Sequence, residues 1–339
     1  MKKRLFALLL VGVLLAGCTL PGQSARQRYT ATFLDVFDTV TTVIGFAESE
    51  EAFTASAQKI HDELLRYHRL FDIYTRYEGI VNLRDLNEAA GGEAVQVDAD
   101  ILRLLKACKE YYTLTGGKVN AAMGSVLKLW HDAREKAYDD PKNARLPDQK
   151  ALEEAAKHTN FDDVILDETN STVRIADPML RLDVGAIAKG WATQRVAENA
   201  PSGFLISVGG NVCATGPKEG GAPWSVGIQN PDGGDYLHTV YAQSGCVVTS
   251  GDYQRTFPVD GKFYHHIIDP NTLYPSEYFR SVTVICDDSG LADALSTALF
   301  VISLEEGMAL AEKCGVEAVW LHRDGTMSYT PGFQDLIRT

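Results

Sequence analysis

The second half of the chain is a succession of short runs with β-type composition, and this pattern constrains the fold more than any other feature. From Phe161 onward the runs alternate with turns of Gly, Asn and Asp; they are DVILD, TVRI, GFLISV, WSVGIQ, HTVYA and CVVTS. Short strands joined by such turns are typical of antiparallel sheet. One helix is predicted to interrupt them over LDVGAIAKGWATQRVAENA, and a helix pair over LADALSTALFVISLEEGMALAEK precedes a final strand, VEAVWLH.

The first half of the chain is predicted to be mostly helical. After a strand or hairpin from Thr30 to Ala47, apolar residues recur every three or four positions in EEAFTASAQKIHDELLRYHRLFD, which indicates an amphipathic helix. Further helices are predicted over VNLRDLNEAA, Asp98 to Leu114 and Asp148 to His158, with a polar loop near Pro141. Because no repeat or Pro/Ser-rich linker interrupts the sequence, we expect one compact α+β domain with helices packed on the sheet.

The N-terminus begins with MKKRLFALLLVGVLLAGC, a basic segment, an apolar run and a sequence that resembles a bacterial lipobox. The apolar run is too short to span a hydrocarbon core of about 30 Å comfortably, which argues against a plain transmembrane anchor. The prediction is a signal peptide over residues 1–17, lipidation of Cys18 with a tether over residues 18–28, and a domain over residues 29–339. The protein would then be lipid-anchored in a bacterial cell envelope, on the extracytoplasmic face of a membrane.

The remaining cysteines and the net charge restrict the kinds of cross-link, metal and partner that the protein is expected to have. Five cysteines besides Cys18, an odd number without a CxxC pair, suggest neither a disulfide framework nor a zinc site, and we expect core thiols at positions 108, 213, 246, 286 and 314. The formal net charge is -13, which argues against nucleic acid as a partner. An acidic protein that binds a phosphate ligand needs local positive charge, for which a divalent metal is a usual source.

The run SGLADALSTALF places Asp293 and Thr297 four residues apart, on one face of a predicted helix. A carboxylate and a hydroxyl so placed can share one hard cation. A structural role is also open at this stage, because the helix macrodipole favours an acid near the N-terminus and a threonine can bond back to the helix backbone. The spacing alone favours the structural role.

Three other stretches carry candidate chemistry. LDVGAIAKGWATQRV combines small residues with Lys189, which can neutralise an anion, although a tight helix-strand crossing with a solvated lysine is at least as good an explanation. SVGGN by itself indicates a hairpin. In YHHIIDPNTLYP two histidines lie on a predicted strand, so only one of His265 and His266 can face a given site, and a histidine there can accept a proton from a hydroxyl nucleophile.

Taken together, DVGAIAKGWA, SVGGN, HHIIDPNT and DALSTALF, in this order behind a lipobox, resemble the ApbE family of FAD:protein FMN transferases. The resemblance covers almost the whole chain after the tether and implies a single T-fold-like domain with an antiparallel sheet. It also implies a reaction in which magnesium and FAD serve to attach FMN, through a phosphoester bond, to a threonine or serine of a target protein with release of AMP. The implied acceptors are FMN-carrying subunits of Rnf- or Nqr-type membrane complexes.

The resemblance also implies roles for individual residues. The metal ligands would be the side chains of Asp293 and Thr297 and the backbone carbonyl of Ala186, and His266 would be the general base. FAD would be bound by Phe37, Tyr74, Asn120, Ala121, Ala122, Asp183, Lys189 and Ile267. Two alternatives remain open: a FAD pyrophosphatase that gives FMN and AMP from the same site, and a surface lipoprotein that binds flavin without turnover.

Overall fold

The structure, a computed structural model, describes residues 26–338, which form fifteen β-strands and eight α-helices. The strands are β1 (Gln27–Val36), β2 (Thr39–Ala47), β3 (Val95–Gln96), β4 (Val164–Asp167), β5 (Thr172–Ile175), β6 (Phe204–Val208), β7 (Asn211–Ala214), β8 (Trp224–Ile228), β9 (His238–Ala242), β10 (Gly245–Gly251), β11 (Phe257–Val259), β12 (Lys262–Tyr264), β13 (Phe279–Cys286), β14 (Glu317–His322) and β15 (Met327–Tyr329). The helices are α1 (Glu50–Phe71), α2 (Leu83–Glu88), α3 (Ala99–Leu114), α4 (Gly124–Asp139), α5 (Gln149–Ala155), α6 (Ala188–Asn199), α7 (Ser289–Phe300) and α8 (Leu304–Cys314). None of these helices is long and apolar enough to cross a bilayer.

An eight-stranded sheet forms the centre of the molecule, in the order β1-β2-β6-β7-β10-β13-β14-β15, and every neighbouring pair is antiparallel. Helices α1, α6 and α7 cover one face. The β8–β9 hairpin covers part of the other face, where Trp224 and Val240 join Val247 and Val319 in one apolar cluster. The predicted α+β class, with an antiparallel sheet and packed helices, is therefore confirmed.

The strand and helix signals of the sequence locate most of these elements. The run from Thr30 to Ala47 is the β1–β2 hairpin, and the amphipathic run after it is α1. Helix α1 begins where Ser49 accepts a hydrogen bond from the Ala52 N–H, with Glu50 and Glu51 in the first turn. The six short runs of the second half are β4, β5, β6, β8, β9 and β10.

Three expectations about local structure are wrong. Helix α4 was not predicted, although Val126, Trp130, Ala133 and Ala137 recur at helical spacing and are buried. The final strand is β15, not β14. The two histidines lie just after β12, which ends at Tyr264, and not on a strand.

The cysteine prediction also needs correction for one pair. Cys213 and Cys246 lie directly opposite each other on the neighbouring antiparallel strands β7 and β10, and they form a disulfide. An odd number of cysteines does not exclude a pair that the sheet register brings together across 33 residues of sequence. Cys108 is a buried free thiol, as expected, and Cys286 and Cys314 are free and partly buried.

Candidate functional site

A cleft of about 840 Å³, here called the flavin cleft after the ligand that the family resemblance implies, brings together residues that are far apart in the sequence. Its walls come from the β1–β2 turn, the segment after α1, the residues before α4, the start of α6 and the segment after β12. Of the predicted site residues, eleven line this cleft: Phe37, Tyr74, Asn120, Ala121, Asp183, Ala186, Lys189, His266, Ile267, Asp293 and Thr297. Ala122 is fully buried and does not line the cleft, and Cys18 lies outside the described residues.

The floor of the cleft is a close contact between α6 and α7. The Gly190 N–H donates to Oδ2 of Asp293 at 2.8 Å, and the Lys189 ammonium lies 3.5 Å from the same oxygen. A Cβ on residue 190 would lie 2.3 Å from the Ser289 carbonyl oxygen, so the two helices approach this closely only because residue 190 is glycine. The buried carboxylate of Asp293 is thereby held beside a cation at the base of the cleft.

Asp293 does not cap α7, although it lies near the N-terminus of that helix. The cap of α7 is Asp288, whose side chain accepts a hydrogen bond from the Leu291 N–H. Asp293 lies in the second turn, and its bonded partners belong to α6. A capping role is therefore taken by another residue, and Asp293 is directed toward the cleft together with Thr297.

The segment before α6 forms a tight turn that presents Asp183 to the cleft. Asp183 donates its backbone N–H to the Ala121 carbonyl at 2.8 Å, and its Oδ1 accepts the Gly185 N–H at 2.9 Å. Burial raises the pKa of Asp183, and the charge of Arg255 opposes this rise. A carboxyl group with this environment is suited to hydrogen bonding with a polar ring edge of a ligand.

The hydrogen bonds of His266 leave one ring nitrogen free. Its Nδ1 lies 3.2 Å from the Gln254 carbonyl oxygen, and because a carbonyl only accepts, Nδ1 carries the proton. Nε2 therefore retains its lone pair. Burial of the ring, and next the charge of Arg255, lower the pKa of His266 from 6.5 to about 3, so the ring is neutral at physiological pH.

His265 uses both of its ring nitrogens within the fold. Its Nε2 donates to the Ser276 carbonyl oxygen at 2.8 Å, and the Ile267 N–H donates to its Nδ1 at 3.2 Å. The ring is buried and meets the edge of Phe300. His265 is thus a structural residue that fixes the segment on which His266 stands.

Two aromatic residues that line the cleft, Phe37 and Tyr74, are held by local hydrogen bonds of their backbone N–H groups. The Phe37 backbone adopts a φ of 52° in the β1–β2 turn, and its N–H donates to Nδ1 of His68 at 3.2 Å. The Tyr74 N–H donates to Oδ1 of Asp72 at 2.6 Å, which turns the chain sharply after α1. Both residues line the cleft.

Several cleft residues were missed by the sequence analysis. His131 stacks on Tyr74 with ring centroids 4.8 Å apart and accepts a hydrogen bond from Arg134 at 2.9 Å. His131 and Arg134 both lie on α4. The apolar residues at helical spacing in α4 were the sequence signal that would have suggested this helix and its cleft residues. Arg255, which has a φ of 49°, belongs to the loop between β10 and β11 and lines the same cleft.

The donor set of the cleft is compatible with a hard cation. Asp293 supplies a carboxylate, Thr297 a hydroxyl and Ala186 a backbone carbonyl, and all three residues line the cleft. Within residues 26–338 no group of three or more His, Cys, Asp or Glu side chains is arranged to hold a metal ion. Oxygen ligands from a single acid fit Mg²⁺, which usually keeps waters and phosphate oxygens in its shell, whereas softer metals such as Zn²⁺ and Cu²⁺ favour nitrogen and sulfur ligands.

Comparison with known proteins decides the family. The profile of the ApbE family matches residues 36–320. The chain belongs to the ApbE family. Among its relatives is the FAD:protein FMN transferase of Treponema pallidum, 35% identical over 76% of this chain and 75% of the relative. The enzyme of the same name from Klebsiella pneumoniae is 32% identical over 78% of this chain and 84% of its own length.

Solved structures of the family share the fold. The ApbE protein of Thermotoga maritima superposes with a TM-score of 0.81 and 31% identity, over 92% of this chain and 100% of that chain. The apo form of the flavinyl transferase ApbE of Pseudomonas stutzeri gives a TM-score of 0.76 at 25% identity, over 94% and 98% of the two chains. This ApbE-family chain therefore has the single-domain architecture of its relatives.

Proposed function

We propose that this chain is a Mg²⁺-dependent FAD:protein FMN transferase, which attaches FMN through a phosphoester bond to a threonine or serine of an acceptor protein and releases AMP. The observation that carries the proposal is the free Nε2 of His266 in one cleft with Lys189, Asp293 and Thr297. The names of the relatives support the same reaction.

The flavin cleft has a size and lining that suit FAD. Its volume of about 840 Å³ lies in the range of ligand pockets. We place the flavin ring against the apolar and aromatic surfaces of Phe37, Tyr74 and Ile267, with polar contacts from Asn120, Ala121 and Asp183. Lys189 and Arg255 supply positive charge for the pyrophosphate, which the acidic chain otherwise lacks.

In the proposed transfer step, the acceptor hydroxyl oxygen attacks the phosphorus of the FMN half of FAD. The new bond joins that oxygen to the FMN phosphorus, the bond from this phosphorus to the bridging oxygen breaks, and AMP leaves with the bridging oxygen. Nε2 of His266 takes the hydroxyl proton as the attack proceeds. Lys189 offsets negative charge on the pyrophosphate, so the protein contributes mainly positioning and electrostatic stabilisation.

The proposed magnesium ligands are Asp293, Thr297 and the Ala186 carbonyl, as the resemblance implies. When bound there, Mg²⁺ would neutralise charge on the pyrophosphate and on the leaving AMP. The contacts from Lys189 and Gly190 both go to Oδ2 of Asp293, so its Oδ1 would be available to hold the ion. Asp293→Ala is the test: we expect loss of Mg²⁺-stimulated turnover, and a variant that is as active in EDTA as in Mg²⁺ would refute these ligands.

The proposed location is the extracytoplasmic face of a membrane, with a lipid on Cys18. The expected tether over residues 18–28 is too long at its C-terminal end, because Gln27 and Arg28 already belong to β1, so we propose that the tether ends before Gln27. The Cys213–Cys246 disulfide supports this location, because stable disulfides are typical of oxidising compartments. The proposed acceptors are the FMN-carrying subunits of Rnf- or Nqr-type complexes, since an anchored enzyme meets membrane-bound substrates on its own face. Mass spectrometry of the envelope-derived protein is expected to detect acyl chains on Cys18.

The products distinguish the transferase from its alternatives. The full-length protein in detergent is incubated with FAD, Mg²⁺ and an FMN-carrying domain of an Rnf-type subunit, here called the acceptor domain, and the nucleotides are separated by chromatography. A transferase releases AMP in a one-to-one ratio to flavin that remains with the acceptor domain. AMP with an equal amount of free FMN identifies a pyrophosphatase, and unchanged FAD would overturn the proposal in favour of flavin binding alone.

A further inference from the structure

A second cleft, of about 700 Å³, lies beside the flavin cleft and takes no part in the site described above. It is bounded on one side by β12 and on the other by the segment from Tyr274 to Tyr278. Lys262 pairs with Glu277 across it. Its lining residues include Asp252, Phe263, His265, Asp269, Tyr278 and Arg323.

The two clefts are separated only by a thin partition. His265 lines both, and the residues that follow it, His266 to Ile268, face the flavin cleft. On the preceding loop Asp252 lines the second cleft, whereas Gln254 and Arg255 line the flavin cleft. The chain segment that carries His266 therefore has the second cleft on one side and the flavin cleft on the other.

The β11–β12 hairpin presents an open strand edge at the second cleft. Asp260 and Gly261 both have positive φ, which is typical of a two-residue hairpin turn flanked by a hydrogen-bonded pair, Val259 and Lys262. The next pair, Pro258 and Phe263, is then not hydrogen-bonded, in agreement with the missing N–H of proline. The N–H and C=O of Phe263 consequently point away from β11.

Exposed aromatic side chains accompany this edge. Phe263 is 68% exposed, and Tyr278, on the opposite wall, is 49% exposed. Both line the second cleft. Outward main-chain groups between two exposed rings are the features of a site where an extended peptide adds as a strand.

We propose that the second cleft binds an extended segment of the acceptor protein, which pairs with the outer edge of β12 and packs on Phe263 and Tyr278. The inference rests on the proposed transferase function, since that function requires a polypeptide substrate. An extended chain advances about 3.3 Å per residue, so three or four residues beyond the pairing site carry a threonine or serine across the partition to His266. The acceptor is thus recognised mainly through backbone and apolar contacts outside the flavin cleft.

The test compares the kinetics of three forms of the full-length protein in detergent with the acceptor domain that becomes modified. They are the wild type, the double variant Phe263→Ala/Tyr278→Ala, and the control Tyr236→Ala, which removes an equally exposed ring (65%) that lines neither cleft. We expect the double variant to raise KM for the acceptor domain at least 10-fold, with unchanged kcat and unchanged FAD affinity. Unchanged FAD affinity also shows that the variant is folded.

The outcomes separate this inference from the proposed function. A wild type that never modifies an acceptor removes both proposals, whereas an active enzyme whose KM for the acceptor domain is the same in the double variant and the control overturns the docking site alone. A photo-crosslinking amino acid at position 263 gives an independent measurement. Cross-links to the acceptor domain support the site; cross-links only to a second copy of the enzyme would assign the edge to self-association instead.

Discussion

The neighbouring rings of His265 and His266 differ in how many of their nitrogens are hydrogen-bonded. Both nitrogens of His265 are bonded inside the fold, whereas only Nδ1 of His266 is bonded. The sequence predicted that only one of the two faces the site, but both line the flavin cleft, because the segment that carries them is not a strand. The resemblance to the family indicated His266 as the general base. The tautomers could not be predicted, because Gln254 and Ser276 approach the rings only after the loops have folded.

Replacing each histidine by alanine should therefore affect different properties: the transfer rate for His266 and the stability of the fold for His265. His266→Ala is expected to lower the transfer rate about 10²- to 10⁴-fold without loss of FAD affinity, because a general base is removed. His265→Ala is expected to retain most of the transfer rate but to lower the free energy of unfolding by about 1–3 kcal/mol, because buried hydrogen-bond partners lose their bonds. Turnover and urea unfolding of the two variants measure this, and the reverse ranking of rates would contradict the assignment.

The pH dependence of the reaction reports on His266. The base acts while neutral, so kcat/KM for FAD should fall only as the pH drops through the pKa of this ring in the free enzyme. With that pKa lowered from 6.5 to about 3, the acid limb should lie well below pH 6.5. Arg255→Gln should move the acid limb to higher pH, because the charge of Arg255 is one cause of the lowered pKa of His266. An acid limb centred at or above 6.5 in the wild type would exclude His266 as the base.

At the scale of secondary structure, the site depends on the contact between α6 and α7. The sequence predicted both helices and the four-residue spacing of Asp293 and Thr297, since these are local patterns. It did not reveal that Asp293 would bond to Gly190, more than a hundred residues away. Nor did it reveal that β2 pairs with β6, because long-range strand order is set by the packing of all layers together.

Gly190→Ala should separate the two helices. A Cβ at this position would lie 2.3 Å from the Ser289 carbonyl oxygen and 2.4 Å from Cβ of Asp293, distances that require the backbone to shift. We expect the free energy of unfolding to fall by about 1–3 kcal/mol, as in other overpacked sites. Gly307→Ala in α8, whose nearest new contact is a Trp320 ring carbon at 3.2 Å, is the matched control and should change it by less than about 1 kcal/mol.

The Mg²⁺ concentration needed for half-maximal activity should rise in Gly190→Ala, because separation of α6 from α7 removes the Gly190 N–H that holds the carboxylate of Asp293. Urea unfolding and Mg²⁺ titration measure the two effects. If Gly190→Ala behaves like the control in both, the close approach of the helices has no part in forming the site.

At the scale of the molecule, one sheet organises the whole chain, and the disulfide joins two of its central strands. The fold class and the family follow from the sequence because the strand runs and the four family motifs are continuous segments. The disulfide could not be predicted, since the pairing of β7 with β10 follows from the sheet order and not from cysteine spacing.

Reduction of the disulfide should destabilise the protein. A cross-link that closes about 33 residues typically contributes about 2–4 kcal/mol to the free energy of unfolding. Urea unfolding with and without a phosphine reductant measures the difference. A Cys213→Ser/Cys246→Ser variant should be insensitive to the reductant, and a wild type that is equally insensitive would show that the bond does not stabilise the protein.

The most direct test of the central claim is the intact mass of the acceptor domain after incubation with full-length enzyme, FAD and Mg²⁺, in parallel with the His266→Ala variant. The account predicts that the wild type adds the mass of one FMN to a threonine or serine of the acceptor, and that the variant leaves it unmodified while still binding FAD. An acceptor that stays unmodified with the wild type, or gains FMN equally with the variant, would contradict it.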